Sequence, residues 1–96
     1  MEEKQEIEHK AQMLSFRFLS ELELLCKKKD VNKKELAEMM GTSASYITQL
    51  FRGHKMVNMA FVAKIEYIFN VQFDIRVSKA KPIKWHNTQS KQTPHT

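Results

Sequence analysis

A single glycine, Gly41, set between two apolar repeats, constrains this chain more than any other feature. In the twenty residues KKELAEMMGTSASYITQLFR, from Lys33 to Arg52, Leu36, Ala37 and Met40 recur at the spacing of one helical face. The pattern breaks at Gly41, and Ile47, Leu50 and Phe51 restart it. Two short helices joined by a tight turn satisfy both runs. Ala37 falls where they cross, and a larger side chain there would force the axes beyond the roughly 8–10 Å at which helices pack.

The flanking residues supply start and stop signals. Asn32 is an N-cap with Glu35 three positions on, as in a capping box, and Val31 can staple to Leu36, so a helix begins at Lys33 and ends by Met40. Gly41 stands where a positive φ is needed, and Thr42 or Ser43 can cap the next helix, which runs from about Ser43 to Phe51 and closes at Gly53. Asn58 caps a further helix, with a Val57–Val62 staple and an inner face of Met59, Val62, Ile65 and Phe69. Ahead of all these, residues 2 to about 29 hold no Gly or Pro and read as one long helix, with acids in its first turns. Its apolar side is expected along Leu14, Phe18, Leu22 and Leu25. A second set, Met13, Phe16 and Leu24, lies partly outside that stripe and is either solvated or shared with another chain. The fold class expected is all-α, four helices with a long first one.

After Asn70 the period changes to two. Val71, Phe73, Ile75 and Val77 alternate with Gln72, Asp74, Arg76 and Ser78, the pattern of a C-terminal β-strand. The chain offers no partner strand, and lone backbone donors and acceptors are costly where water is excluded. Two copies can pair these strands across a two-fold axis, which makes Val71, Phe73, Ile75 and Val77 dimerisation residues; the alternative is a segment lying extended over its own helices. Residues 1–78 thus form one domain, and 79–96 a basic tail expected to be disordered. Trp85, between Lys84 and His86, is a stray aromatic of that tail or a stacking group.

Ninety-six residues suffice for one small core, near the size at which a partner subunit aids stability. The formal charge is +5 and uneven: residues 31–70 carry five Lys or Arg against three acids, and 71–96 carry five against one. That field favours a polyanion, although solubility alone accounts for a surplus of this size. Cys26 stands alone, so no internal disulfide forms, and with no leader and no apolar run long enough to span a bilayer a cytoplasmic protein is expected. The four histidines have no ligand spacing among themselves or with Cys26, and no catalytic constellation or phosphate loop appears. No enzyme activity, metal, cofactor or small-molecule substrate is therefore expected.

Two short helices with a glycine turn make a helix-turn-helix, whose second helix commonly enters the DNA major groove. From about Phe18 to Val77 the chain resembles the Cro/repressor-type (XRE) helix-turn-helix family, which includes phage repressors and many bacterial antitoxins. ELAEMMG followed by TSASYITQL carries Leu36, Ala37, Gly41, Ile47 and Leu50 at the positions the family needs, and RGHKMVNMAFVAKIEYIFNV resembles its following loop and fourth helix. The resemblance implies a lambda-repressor-like bundle of four helices and sequence-specific binding of double-stranded DNA in transcription control.

The outward residues of the third helix are Ser43, Ala44, Ser45, Thr48 and Gln49. Ala44, Ser45 and Gln49 match the family's base-contacting positions, with Gln49 suited to a two-pronged hydrogen bond to adenine and the Ala44 methyl to a thymine methyl. Phosphate contacts are expected from Lys33 and Lys34, from Ser43 and Tyr46, and from Arg52, His54 and Lys55. Of these, Lys33, Ser43, Arg52 and Lys55 match phosphate-binding positions of the family. Where many members pair an Arg late in the first helix with a Glu late in the third, this chain has Cys26 and Phe51, a replacement that can be neutral for stability. The function expected is a homodimeric repressor on a palindromic operator with half-sites about 34 Å apart. The alternative is an antitoxin that clasps a toxin through its first helix or C-terminal strand and represses its own operon.

Overall fold

The computed structural model describes residues 2–80; Trp85 and nearly all of the basic tail lie outside the described residues. Four helices follow one another: α1 Glu2–Lys29, α2 Lys33–Met40, α3 Ala44–Phe51 and α4 Met59–Phe69. Each boundary has a local chemical cause. Asn32 accepts from the Glu35 N–H at 2.7 Å while the Glu35 carboxylate accepts from the Asn32 N–H at 2.9 Å, closing the capping box. Ser43, not Thr42, caps α3 by accepting from the Tyr46 N–H, and Asn58 caps α4 by accepting from the Phe61 N–H. Such a cap contributes about 1 kcal/mol.

The stops are equally specific. Gly41 has φ +71°, and the N–H groups of Gly41 and Thr42 donate to the carbonyls of Glu38 and Ala37, so the last turn of α2 is satisfied. Lys64 of α4 donates its ammonium to the Met40 carbonyl at 2.8 Å, placing a cation at the negative end of α2. At the end of α1, Asp30 is left-handed (φ 59°) behind Lys27, Lys28 and Lys29, which suit the carboxyl end of a helix.

The core draws on all four helices: Leu19 and Leu22 of α1, Leu36, Ala37 and Met40 of α2, Ile47 and Leu50 of α3, and Phe61, Ile65 and Phe69 of α4. Two inner faces differ from the pattern read in the sequence. In α1 the buried line is Ser15, Leu19 and Leu22, with Leu14 exposed, because the Ser15 hydroxyl accepts the Val57 N–H at 2.9 Å and turns that face towards the loop before α4. In α4 Met59 is exposed and Phe61 takes its place, edge-on to the rings of Phe18 and Tyr46.

The described residues contain no strand. Residues 71–80 leave α4 through Asn70, left-handed at φ 54°, and fold back. Phe73 packs against Phe18 with ring centroids 4.9 Å apart, and its N–H donates to the Glu66 carboxylate at 2.8 Å. Val71 and Phe73, expected on a dimer ribbon, are thus half-buried against their own subunit, whereas Ile75 and Val77 are 92% and 99% exposed.

Candidate nucleic-acid interface

Burial of Ile47 and Leu50 fixes which side of α3 meets solvent. Opposite them lie Ser45, Gln49 and Arg52, three and four residues apart and therefore in one row. Ala44 and Ser45 are exposed, Gln49 within the row is half-buried, and Thr48 is half-buried beside it. The Gln49 side-chain amide donates to the Ser45 hydroxyl at 3.2 Å. That bond uses one of the two amide N–H groups. The other N–H and the carbonyl oxygen remain, the pair that adenine N7 and N6 require. Two of the residues expected at bases thus touch each other, and Ser45 holds Gln49 in place.

The charges surround this neutral row. α3 itself carries none, and Lys33, Lys34, Arg52, His54 and Lys55 are all exposed. Among the described residues the one ion pair joins Arg76 to Asp74 at 3.5 Å. Among the described residues no cation about the motif is held in an ion pair, and phosphates at a rim with base edges at the centre is the arrangement this distribution suits. His54 and Lys55 are drawn to the end of α3 by their own N–H groups, which donate to the Gln49 carbonyl at 2.9 and 3.4 Å.

Three expected contact residues have structural duties as well. The Ser43 hydroxyl caps α3, and the Tyr46 ring packs on Phe61 with centroids 6.4 Å apart. The Lys33 ammonium lies 4.5 Å from the centroid of Phe51. Phe51 and Lys33 border a groove that Cys26 also lines. Burial pushes the Cys26 thiol up, partly offset by the positive charge of Lys33.

No group of three His, Cys, Asp or Glu residues that could hold a metal ion occurs among the described residues. No described helix is long and apolar enough to cross a membrane.

A helix-turn-helix family profile matches residues 22–75, from the core of α1 through the residues after α4. The chain belongs to that family, the XRE or Cro/C1 type of helix-turn-helix. It is a DNA-binding regulatory family and not typically an enzymatic one. No curated protein and no solved structure shows significant similarity to the chain.

The sequence reading missed the contribution of Gln12 and Phe16 to this region. Gln12 of α1 donates to the Gly53 carbonyl at 2.8 Å, and the Phe16 ring lies against Gly53, so α1 braces the turn that ends α3. A glutamine and a phenylalanine one helical turn apart carry no local signal for a contact some forty residues away.

Proposed function

We propose that the protein is a sequence-specific transcriptional repressor that lays residues 43–51 in the major groove as a homodimer. The row Ser45, Gln49 and Arg52 carries this reading: it stands outward on a helix whose other side is sealed in the core, and its central amide keeps a free donor and a free acceptor. Ala44, Ser45, Thr48 and Gln49 read the bases; Lys33, Lys34, Ser43, Tyr46, Arg52, His54 and Lys55 set the register on phosphates. Of the four expected dimer residues, Ile75 and Val77 remain available to a second copy. Repression follows from occupancy, since a small domain seated on an operator blocks access to the DNA beneath it.

The test is titration of a bound palindrome at several salt concentrations. Gln49→Ala should weaken the specific complex by about 1–3 kcal/mol, roughly 5- to 150-fold, and leave non-specific binding unchanged. Ser45→Ala, which removes a base-facing hydroxyl and frees the Gln49 amide to rotate, should weaken it as well, by about 1 kcal/mol. Equal affinity of wild type and Gln49→Ala for the palindrome would refute base reading by this helix.

A further inference from the structure

Helix α1 holds the loop between α3 and α4 at both of its ends. Gln12, Ser15 and Phe16 stand three and four residues apart and so share one face of α1. The Gln12 side-chain amide donates to the Gly53 carbonyl at 2.8 Å, and the Phe16 ring closes over Gly53, its Cζ 2.8 Å from the point a Cβ would occupy. At the other end the Ser15 hydroxyl accepts the Val57 N–H at 2.9 Å. Ser15 is the single buried polar side chain among the described residues, and this bond is what occupies it. Between the two tethers lie His54 and Lys55, both exposed. The family profile begins at residue 22, so every tether comes from the part of α1 that precedes it.

We infer that Gln12 and Ser15, with Phe16 packed alongside, are positioning residues for contact with the DNA backbone: they hold loop 53–57 in the shape that presents His54 and Lys55 to phosphates. The inference rests on the phosphate role proposed above for those two side chains. The argument is entropic. A loop that must be ordered at the moment of binding gives up backbone freedom, and affinity with it, at every residue that is fixed; a loop ordered beforehand does not. Apart from α1, the loop is tied by the His54 and Lys55 N–H groups, which share the Gln49 carbonyl, the second at a long 3.4 Å. Two donors on one acceptor make a pivot. The bonds from Gln12 and Ser15 lie on either side of it and remove the rotation. Phosphates carry no sequence information, so these tethers set affinity for duplex of any sequence, whereas the Ser45–Gln49 bond bears on the choice of base. The stretch of α1 ahead of the family segment thus belongs to the DNA interface without touching DNA.

Binding of the full chain to a mixed-sequence duplex at low ionic strength tests this as a double-mutant cycle. His54→Ala/Lys55→Ala should weaken binding about tenfold. Gln12→Ala and Ser15→Ala should each weaken it about three- to tenfold, at a temperature where circular dichroism shows both variants folded. Gln12 is half-buried at the helix surface, so its variant keeps the test open even if Ser15→Ala melts early. In the His54→Ala/Lys55→Ala background the same two changes should have no further effect, because the loop then carries nothing to position. A purely structural role for α1 gives the same loss in both backgrounds, and that result overturns the inference. Full affinity in Gln12→Ala and Ser15→Ala alongside a weakened loop variant also overturns it, and leaves the phosphate reading standing. A loop variant that binds like wild type refutes the phosphate role of His54 and Lys55, and the positioning role with it.

Discussion

Gly53→Ala should be among the most damaging single-methyl changes in the chain, lowering stability by about 2–4 kcal/mol. Two independent costs coincide at this position. Its φ of +83° lies in the left-handed region, where a side chain costs about 1–2 kcal/mol. An added Cβ would also meet Phe16 Cζ at 2.8 Å and Gln12 Nε2 at 2.9 Å, the two groups with which α1 braces the end of α3. Moving Gln12 away forfeits its hydrogen bond to the Gly53 carbonyl. Gly41 provides the comparison: at φ +71° it bears the same conformational cost, but its Cβ would find only Lys64 Nζ, at 3.6 Å. Thermal melts should therefore rank Gly53→Ala well below Gly41→Ala. If the two melt together, α1 does not brace the turn.

Ala37→Leu should be comparably severe. Ala37 is 2% exposed and sits among Leu36, Met40, Ile47 and Leu50 in the core where α2 meets α3. Leucine and alanine are both good helix formers, so any loss reports packing rather than propensity. Three extra carbons in a filled crossing cost about 1–3 kcal/mol through overpacking. For a domain of this size that lowers the melting temperature by roughly 4–8 °C per kcal/mol. DNA binding should fall further than stability alone dictates, since any relief of the clash tilts α3 away from its partner helix. The exposed neighbour supplies the control: Glu38→Leu should melt close to wild type. Wild-type melting and DNA binding in Ala37→Leu would mean that the two helices do not cross at Ala37.

The features legible in the sequence were those decided within a few residues. Asn32 with Glu35, Ser43, Asn58 and the two glycines place helix ends by hydrogen bonds and backbone angles that neighbouring residues complete, and all these ends occur in the structure. Ala37, Ile47 and Leu50 were readable because short helices with one apolar side leave no choice of face. The inner sides of α1 and α4 were harder. α1 has apolar residues around most of its circumference, so periodicity cannot choose between Leu14 and Leu19. What chooses is a hydrogen bond from Val57 to Ser15, forty-two residues apart. In α4 the same ambiguity placed Met59 inside and left Phe61 out, and an apolar outer face is itself the cause.

The C-terminal alternation marks an extended segment without showing what it lies against. Phe18 and Glu66 take up its first half through Phe73, contacts that exist only once α1 and α4 are together. At the candidate interface, the outward row of α3 followed directly from the burial of Ile47 and Leu50. The hydrogen bond that orients Gln49 through Ser45 has the i, i+4 spacing of neighbours on a helix, yet the spacing alone does not make it.

Selection of bound duplexes from a random pool, at low and then at moderate ionic strength, tests most directly whether the exposed row of α3 reads DNA. The expected result is a two-fold symmetric consensus with half-sites about one helical turn apart, containing an adenine whose enrichment disappears with Gln49→Ala. A pool that shows no enrichment at either ionic strength, or a consensus unchanged by Gln49→Ala, would contradict recognition by this helix.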